Sequence, residues 1–107
     1  MNRSDVGDIL REYRKGLERT LGDRLRVVIL YGSRARGDSD DSWDIDVLCV
    51  MRGSFDYGEM IKRTSELTAR LSLKYELVLS WVFVSESDYQ TRNLPFFMNL
   101  RREGVVL

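Results

Sequence analysis

Two aspartates, Asp44 and Asp46, open the segment Asp44-Ile45-Asp46-Val47-Leu48-Cys49-Val50, ten residues after Tyr31-Gly32-Ser33. Ile45, Val47 and Cys49 alternate with the acids, which predicts a strand carrying both carboxylates on one face, about 6.5–7 Å apart. Carboxylates so placed can converge on hard cations. Magnesium suits them, since one or two carboxylates plus substrate phosphates usually hold it. Two such ions, about 3.5–4 Å apart, would activate an attacking hydroxyl and steady a leaving pyrophosphate. That is the chemistry of nucleotidyl transfer.

The turn ahead of the acids supplies the complement. Gly32 lets the backbone approach a phosphate and offer its N–H groups, and Ser33 adds a hydroxyl donor. Arg34 and Arg36 can neutralise phosphate oxygens, ranking below Ser33 in the expected site. The Lys of a P-loop is missing after the glycine, and the glycine spacing does not match a dinucleotide fingerprint, so ATPase and Rossmann readings are poor.

Gly32-Ser33, ten residues, then Asp44-x-Asp46 resembles the signature of the DNA polymerase beta nucleotidyltransferase superfamily, especially its minimal nucleotidyltransferase branch. The resemblance implies a nucleotidyltransferase fold: a small mixed β-sheet of three or more strands with helices packed on it, of the α/β (α+β) class. It implies that Gly32 and Ser33 bind the β and γ phosphates of ATP, that Asp44 and Asp46 hold two Mg2+ ions, and that a third carboxylate on a later strand completes the site. By position that third group is Glu76, in Tyr75-Glu76-Leu77-Val78-Leu79-Ser80, where the family usually has Asp. Asp44, Asp46 and Glu76 are thus the expected catalytic and metal-binding set. Glu is one methylene longer, and a displacement of ~1 Å can cost on the order of a hundredfold in rate.

Each residue also has a plainer reading. A lone Gly-Ser is commonly a turn, Asp-x-Asp commonly a solvated strand face, and Glu76 commonly an exposed strand start. Asp38, Asp40 and Asp41 read as solvated loop residues. Arg14, Lys15, Arg19, Arg24 and Arg26 read as an exposed helix face and its exit loop.

The 107 residues fit one domain, 1–107, with a single core and no room for a second substrate-binding domain, so the acceptor is expected on a partner protein or at an oligomer interface. Seventeen basic and seventeen acidic residues balance, which gives no global pull toward nucleic acid and argues against templated polymerisation. One cysteine and no histidine exclude an intrachain disulfide, imidazole-dependent zinc sites and a His base. Cys49 is expected to pack as a small apolar residue. With neither a signal peptide nor a membrane-spanning apolar run, a cytoplasmic protein is expected.

The elements that must position the acids follow from periodicity. Ser4 can cap a helix with Val6, Ile9, Leu10, Tyr13, Leu17 and Leu21 on one face and Gly22 at its end. Leu25 to Tyr31 and Asp44 to Met51 read as strands joined by the Ser33 to Trp43 segment. A second helix starts at Asp56, with Glu59 completing a capping box and Met60, Ile61, Leu67 and Leu71 facing inward. A third strand is expected from Tyr75 to Val84, with Glu76 at its start. A short polar helix with Tyr89 follows, then one opened by Pro95 and stopped by Gly104. Phe96, Phe97 and Met98 cannot all face one core, so an exposed remainder would suit a protein interface.

The resulting reading is a Mg-dependent transferase moving AMP from ATP to a hydroxyl. Small members of the resembled branch are antitoxins whose partner is a helical HEPN ribonuclease toxin, which implies a tyrosine hydroxyl as acceptor. The alternative is a binding module that neutralises its partner by contact and has lost turnover through Glu76. Modification of nucleic-acid ends is a third, weaker reading.

Overall fold

A computed structural model describes residues 6–32 and 44–107. The expected Ser4 cap and the Ser33 to Trp43 connection lie outside those residues. Helix α1 (Val6–Leu21) buries Ile9, Leu10, Tyr13, Leu17 and Leu21, the expected 3.6-residue stripe, and a 3-10 turn at Gly22–Arg24 leads into strand β1 (Leu25–Tyr31). Strand β2 (Asp44–Met51) is followed by helix α2 (Tyr57–Tyr75), whose first turn is capped as anticipated: the Asp56 side chain accepts from the Glu59 N–H at 3.0 Å. Strand β3 (Val78–Ser85), helices α3 (Glu86–Thr91) and α4 (Pro95–Glu103) and the two-residue strand β4 (Val105–Val106) complete the order. Pro95 opens α4, where its missing N–H costs nothing, and Gly104 ends it.

The strands form one mixed sheet in the order β3-β2-β1-β4. β1 runs antiparallel to β2 and pairs Tyr31 with Asp46, whereas β3 is parallel to β2 through the α2 crossover and pairs Val78 with Asp44 and Ser80 with Asp46. β4 closes the free side of β1, with Val106 opposite Ile29.

Alternation along the strands gives the sheet two working faces. On one, Leu25, Val28, Leu30, Ile45, Val47, Cys49, Leu79 and Phe83 meet α1 and α2. On the other, Ile29, Leu48 and Val50 meet Phe97 and Leu100 of α4, with Val82, Val84 and Tyr89 beside them. Phe97 is therefore core, while Phe96 and Met98 stay exposed, as three consecutive apolar residues on a helix must divide. Fully buried Cys49 packs as a small apolar residue.

The helical layer carries a polar seam, because Thr64 and Thr68 of α2 are buried on the same stripe as Met60, Leu67 and Leu71. Thr64 donates to the Met60 carbonyl and accepts from the Trp81 indole at 2.8 Å; Thr68 donates to the Thr64 carbonyl, which leaves the Tyr13 hydroxyl as donor to Thr68 at 2.8 Å. Each buried hydroxyl is satisfied, so burial carries little penalty. α1 crosses α2 at Gly16, where any Cβ would stand 2.7 Å from Leu67.

One expected boundary is corrected. The segment from Tyr75 does not enter the third strand: α2 runs on through Tyr75, whose position four residues after Leu71 keeps it on the packed face, with its hydroxyl bonded to Glu12 of α1. Glu76 is the C-cap of α2, in the left-handed region at φ 54°, its N–H bonded to the Ser72 carbonyl, and β3 starts two residues later. Among the described residues no helix is long and apolar enough to cross a membrane.

Candidate active site

Asp44 and Asp46 stand at the start of β2. Both have the strand parity of Leu48 and Val50, so their carboxylates share the face that α4 covers further along. Asp44 is exposed and Asp46 partly buried. Burial, and then the charge of Asp44, raises the Asp46 pKa above its ordinary 3.8. A pair of like charges held against desolvation is eased by a cation.

Gly32 closes one side of this pair. It follows Tyr31, the β1 partner of Asp46, and adopts φ +81°, a conformation that side chains disfavour. A Cβ placed on it would lie 2.9 Å from Asp46 Oδ2. Glycine is therefore required twice over, by backbone conformation and by the close approach of the turn to the carboxylate. Gly32 and Asp46, expected on sequence to share the site, are neighbours in space.

Tyr31 sits beside them, with its hydroxyl pKa pushed up by burial and then by the Asp46 charge. Its ring meets that of Phe96 edge to face at 5.9 Å. A groove of about 180 Å³ adjoins Gly32, lined by Tyr31, Phe96, Asn99, Leu100 and Glu103. A larger one, about 480 Å³, lies by the other end of β1 between Arg14, Arg26 and Arg52, and contains none of the expected site residues.

The structure thus brings Gly32, Asp44 and Asp46 together. Ser33, Arg34 and Arg36 fall outside the described residues. Glu76, on its helix cap and exposed, does not join the two aspartates: among the described residues no group of three or more His, Cys, Asp or Glu is placed to hold a metal ion. The β3 residues sharing the acids' face are Val78, Ser80, Val82 and Val84, with no carboxylate among them. Ser80, level with Asp46, lies within the expected Tyr75 to Val84 strand, and alternation counted back from buried Phe83 and Leu79 puts it on the acids' face.

Two hard oxygen donors on one face, with space left by a glycine, fit a divalent cation, and Asp44 and Asp46 are the residues that would hold it. Such an ion would supply charge neutralisation at a transferring phosphoryl group.

Comparison with known proteins agrees with this geometry. Residues 10–94 match the family model described as nucleotidyltransferase domain. A protein of Methanocaldococcus jannaschii, named as a candidate protein adenylyltransferase, is 34% identical over 99 residues, covering 92% of this chain and 93% of its own. Among solved structures, a candidate nucleotidyltransferase from Sulfolobus solfataricus superposes with a TM-score of 0.59 at 20% identity, covering 99% of this chain and 87% of that one. A toxin-antitoxin crystallised with AMP-PNP gives 0.59 at 17% identity, covering 89% and 69%. The last two likenesses speak for the fold, whereas the family match spans most of the chain and includes every described site residue. The chain belongs to the nucleotidyltransferase domain family, and its enzymatic activity is that of a nucleotidyltransferase.

Proposed function

We propose that this protein transfers AMP from Mg-ATP to a hydroxyl on a partner protein, as the antitoxin of a pair whose toxin is a helical HEPN-type protein. The observation that carries the reading is the close approach of Gly32 to Asp46, beside Asp44 on the same face. A triphosphate tail held at the turn would set the α-phosphorus over the carboxylates. The acceptor oxygen then bonds to that phosphorus while the bond to the pyrophosphate oxygen breaks, and pyrophosphate leaves with the electron pair. The cytoplasm supplies ATP and magnesium, and the whole chain, 1–107, acts as one minimal domain.

The acceptor chemistry follows from what β3 lacks. With no carboxylate at Val78, Ser80 or Val82 to take a proton, a phenol of pKa about 10 is a far better acceptor than an aliphatic alcohol. A tyrosine hydroxyl meets that need. The names of the relatives, candidate protein adenylyltransferases, and the toxin-antitoxin among the fold neighbours support the same direction.

A second reading draws on the same absence: a module that neutralises its partner by contact, without turnover. Incubation with labelled ATP, magnesium and a small helical protein encoded beside this one separates the two. Label on the partner with the native chain, lost in Asp44→Ala and Asp46→Ala, supports transfer. Neutralisation that persists in both variants without label supports the binder.

A further inference from the structure

Tyr31, Asp46 and Ser80 form one row across three strands, since Asp46 pairs with Tyr31 on one side and with Ser80 on the other. Neighbouring strands lie about 4.8 Å apart, so Ser80 is an immediate neighbour of the carboxylate. Ser80 has the strand parity of Val82 and Val84, which pack in the cluster beneath α4, while Leu79 and Phe83 belong to the opposite face. Its hydroxyl therefore projects from the face that bears both acids, and it is exposed.

Asp46 is thus flanked by unlike groups. On the β1 side lies Gly32, where a Cβ would stand 2.9 Å from Asp46 Oδ2, and the transfer reading puts the phosphate tail there. In-line displacement requires the entering oxygen to arrive opposite the leaving pyrophosphate, which here is the β3 side. There the acids' face offers Val78, 54% exposed, then Ser80, then Val82. Ser80 is the one polar side chain among these three.

We propose that Ser80 is the positioning residue for the acceptor, holding the incoming hydroxyl by a hydrogen bond on the far side of Asp46 from Gly32. A serine hydroxyl both donates and accepts but is not a base at neutral pH, so its part is orientation while the acceptor proton departs to water. Exposed Val78, level with Asp44, gives the acceptor's apolar body a surface to lie on. The proposal rests on the transfer reading above and adds to it the side from which the acceptor enters.

The test uses three Ser80 variants of the whole chain, with Asp44→Ala and Asp46→Ala beside them. Ser80→Asp places a third carboxylate beside the pair and is expected to bind Mn2+ at least tenfold more tightly in the presence of ATP, measured by calorimetry or by the Mn2+ resonance signal. Ser80→Ala is expected to keep the native KM for ATP and the native melting temperature while kcat for the labelled partner falls about tenfold or more. Ser80→Thr, which keeps the hydroxyl, is expected to recover most of that loss. Native Mn2+ affinity in Ser80→Asp, or native kcat in Ser80→Ala, overturns the proposal. Were Asp44→Ala and Asp46→Ala also to leave Mn2+ binding untouched, the transfer reading itself would fall, and the two failures are told apart in the same titration.

Discussion

Replacing Gly32 with alanine tests the geometry on which the site depends. The substitution has two separable effects. Holding a non-glycine residue at φ +81° costs about 1–2 kcal/mol. For a domain near this size that lowers Tm by roughly 4–8 °C per kcal/mol. The second effect is steric: the new methyl stands 2.9 Å from Asp46 Oδ2, against an ordinary contact of 3.4 Å or more, so the carboxylate must retreat by about 0.5 Å. If a displacement of 1 Å costs on the order of a hundredfold, half of it costs roughly tenfold in rate. Gly53→Ala is the matched control, because Gly53 sits at φ +68° and a Cβ added there would meet nothing within 4 Å. Both variants should melt lower, and only Gly32→Ala should lose transfer to the labelled partner. Equal melting losses with native transfer in both would refute the claim that the turn positions Asp46.

Three further outcomes are expected. Glu76→Gly should be more stable by about 1 kcal/mol in thermal melting, since glycine relieves the left-handed cap at φ 54°, and should keep native transfer; loss of transfer would restore Glu76 to the catalytic set. Asp46→Asn should abolish transfer yet stabilise the fold at neutral pH. The native Asp46 pKa is raised, so the folded state holds the proton more tightly and stability fully present below pH 3.8 is lost as pH rises through the higher folded value. The melting gain of the variant should accordingly vanish as pH is lowered past 3.8. Thr64→Val should cost about 1–3 kcal/mol by chemical denaturation, because it leaves the Trp81 indole N–H without its acceptor.

Much of this architecture could be read from the chain because its signals are local. The α1 stripe, the Asp56 cap, the Pro95 start and the alternation around Asp44 and Asp46 each follow from a few neighbouring residues. What escaped depends on contacts distant in sequence. α2 runs through Tyr75 because that hydroxyl reaches Glu12, sixty-three residues away, and this moves Glu76 onto a helix cap and brings Ser80 level with Asp46. Thr64 and Thr68 fall on the inward stripe of α2 with Met60, Leu67 and Leu71, but the partners that satisfy their hydroxyls, Tyr13 and Trp81, are distant in sequence. β4 is two residues long and is defined only by its pairing with β1. The closeness of Gly32 to Asp46 was implied by the motif, but the fit of one atom against the other is a property of the β1–β2 register.

The Trp81 indole, anchored to Thr64, gives the domain an internal optical gauge. The sequence holds one other indole, Trp43, which immediately precedes Asp44. With Trp43 changed to phenylalanine, the sole indole would lie across the sheet from the carboxylates: its spectrum, excited to the red of tyrosine absorption, should redden as the helices peel off and stay still while nucleotide is added. Occupancy and unfolding would then be followed in one cuvette without interfering.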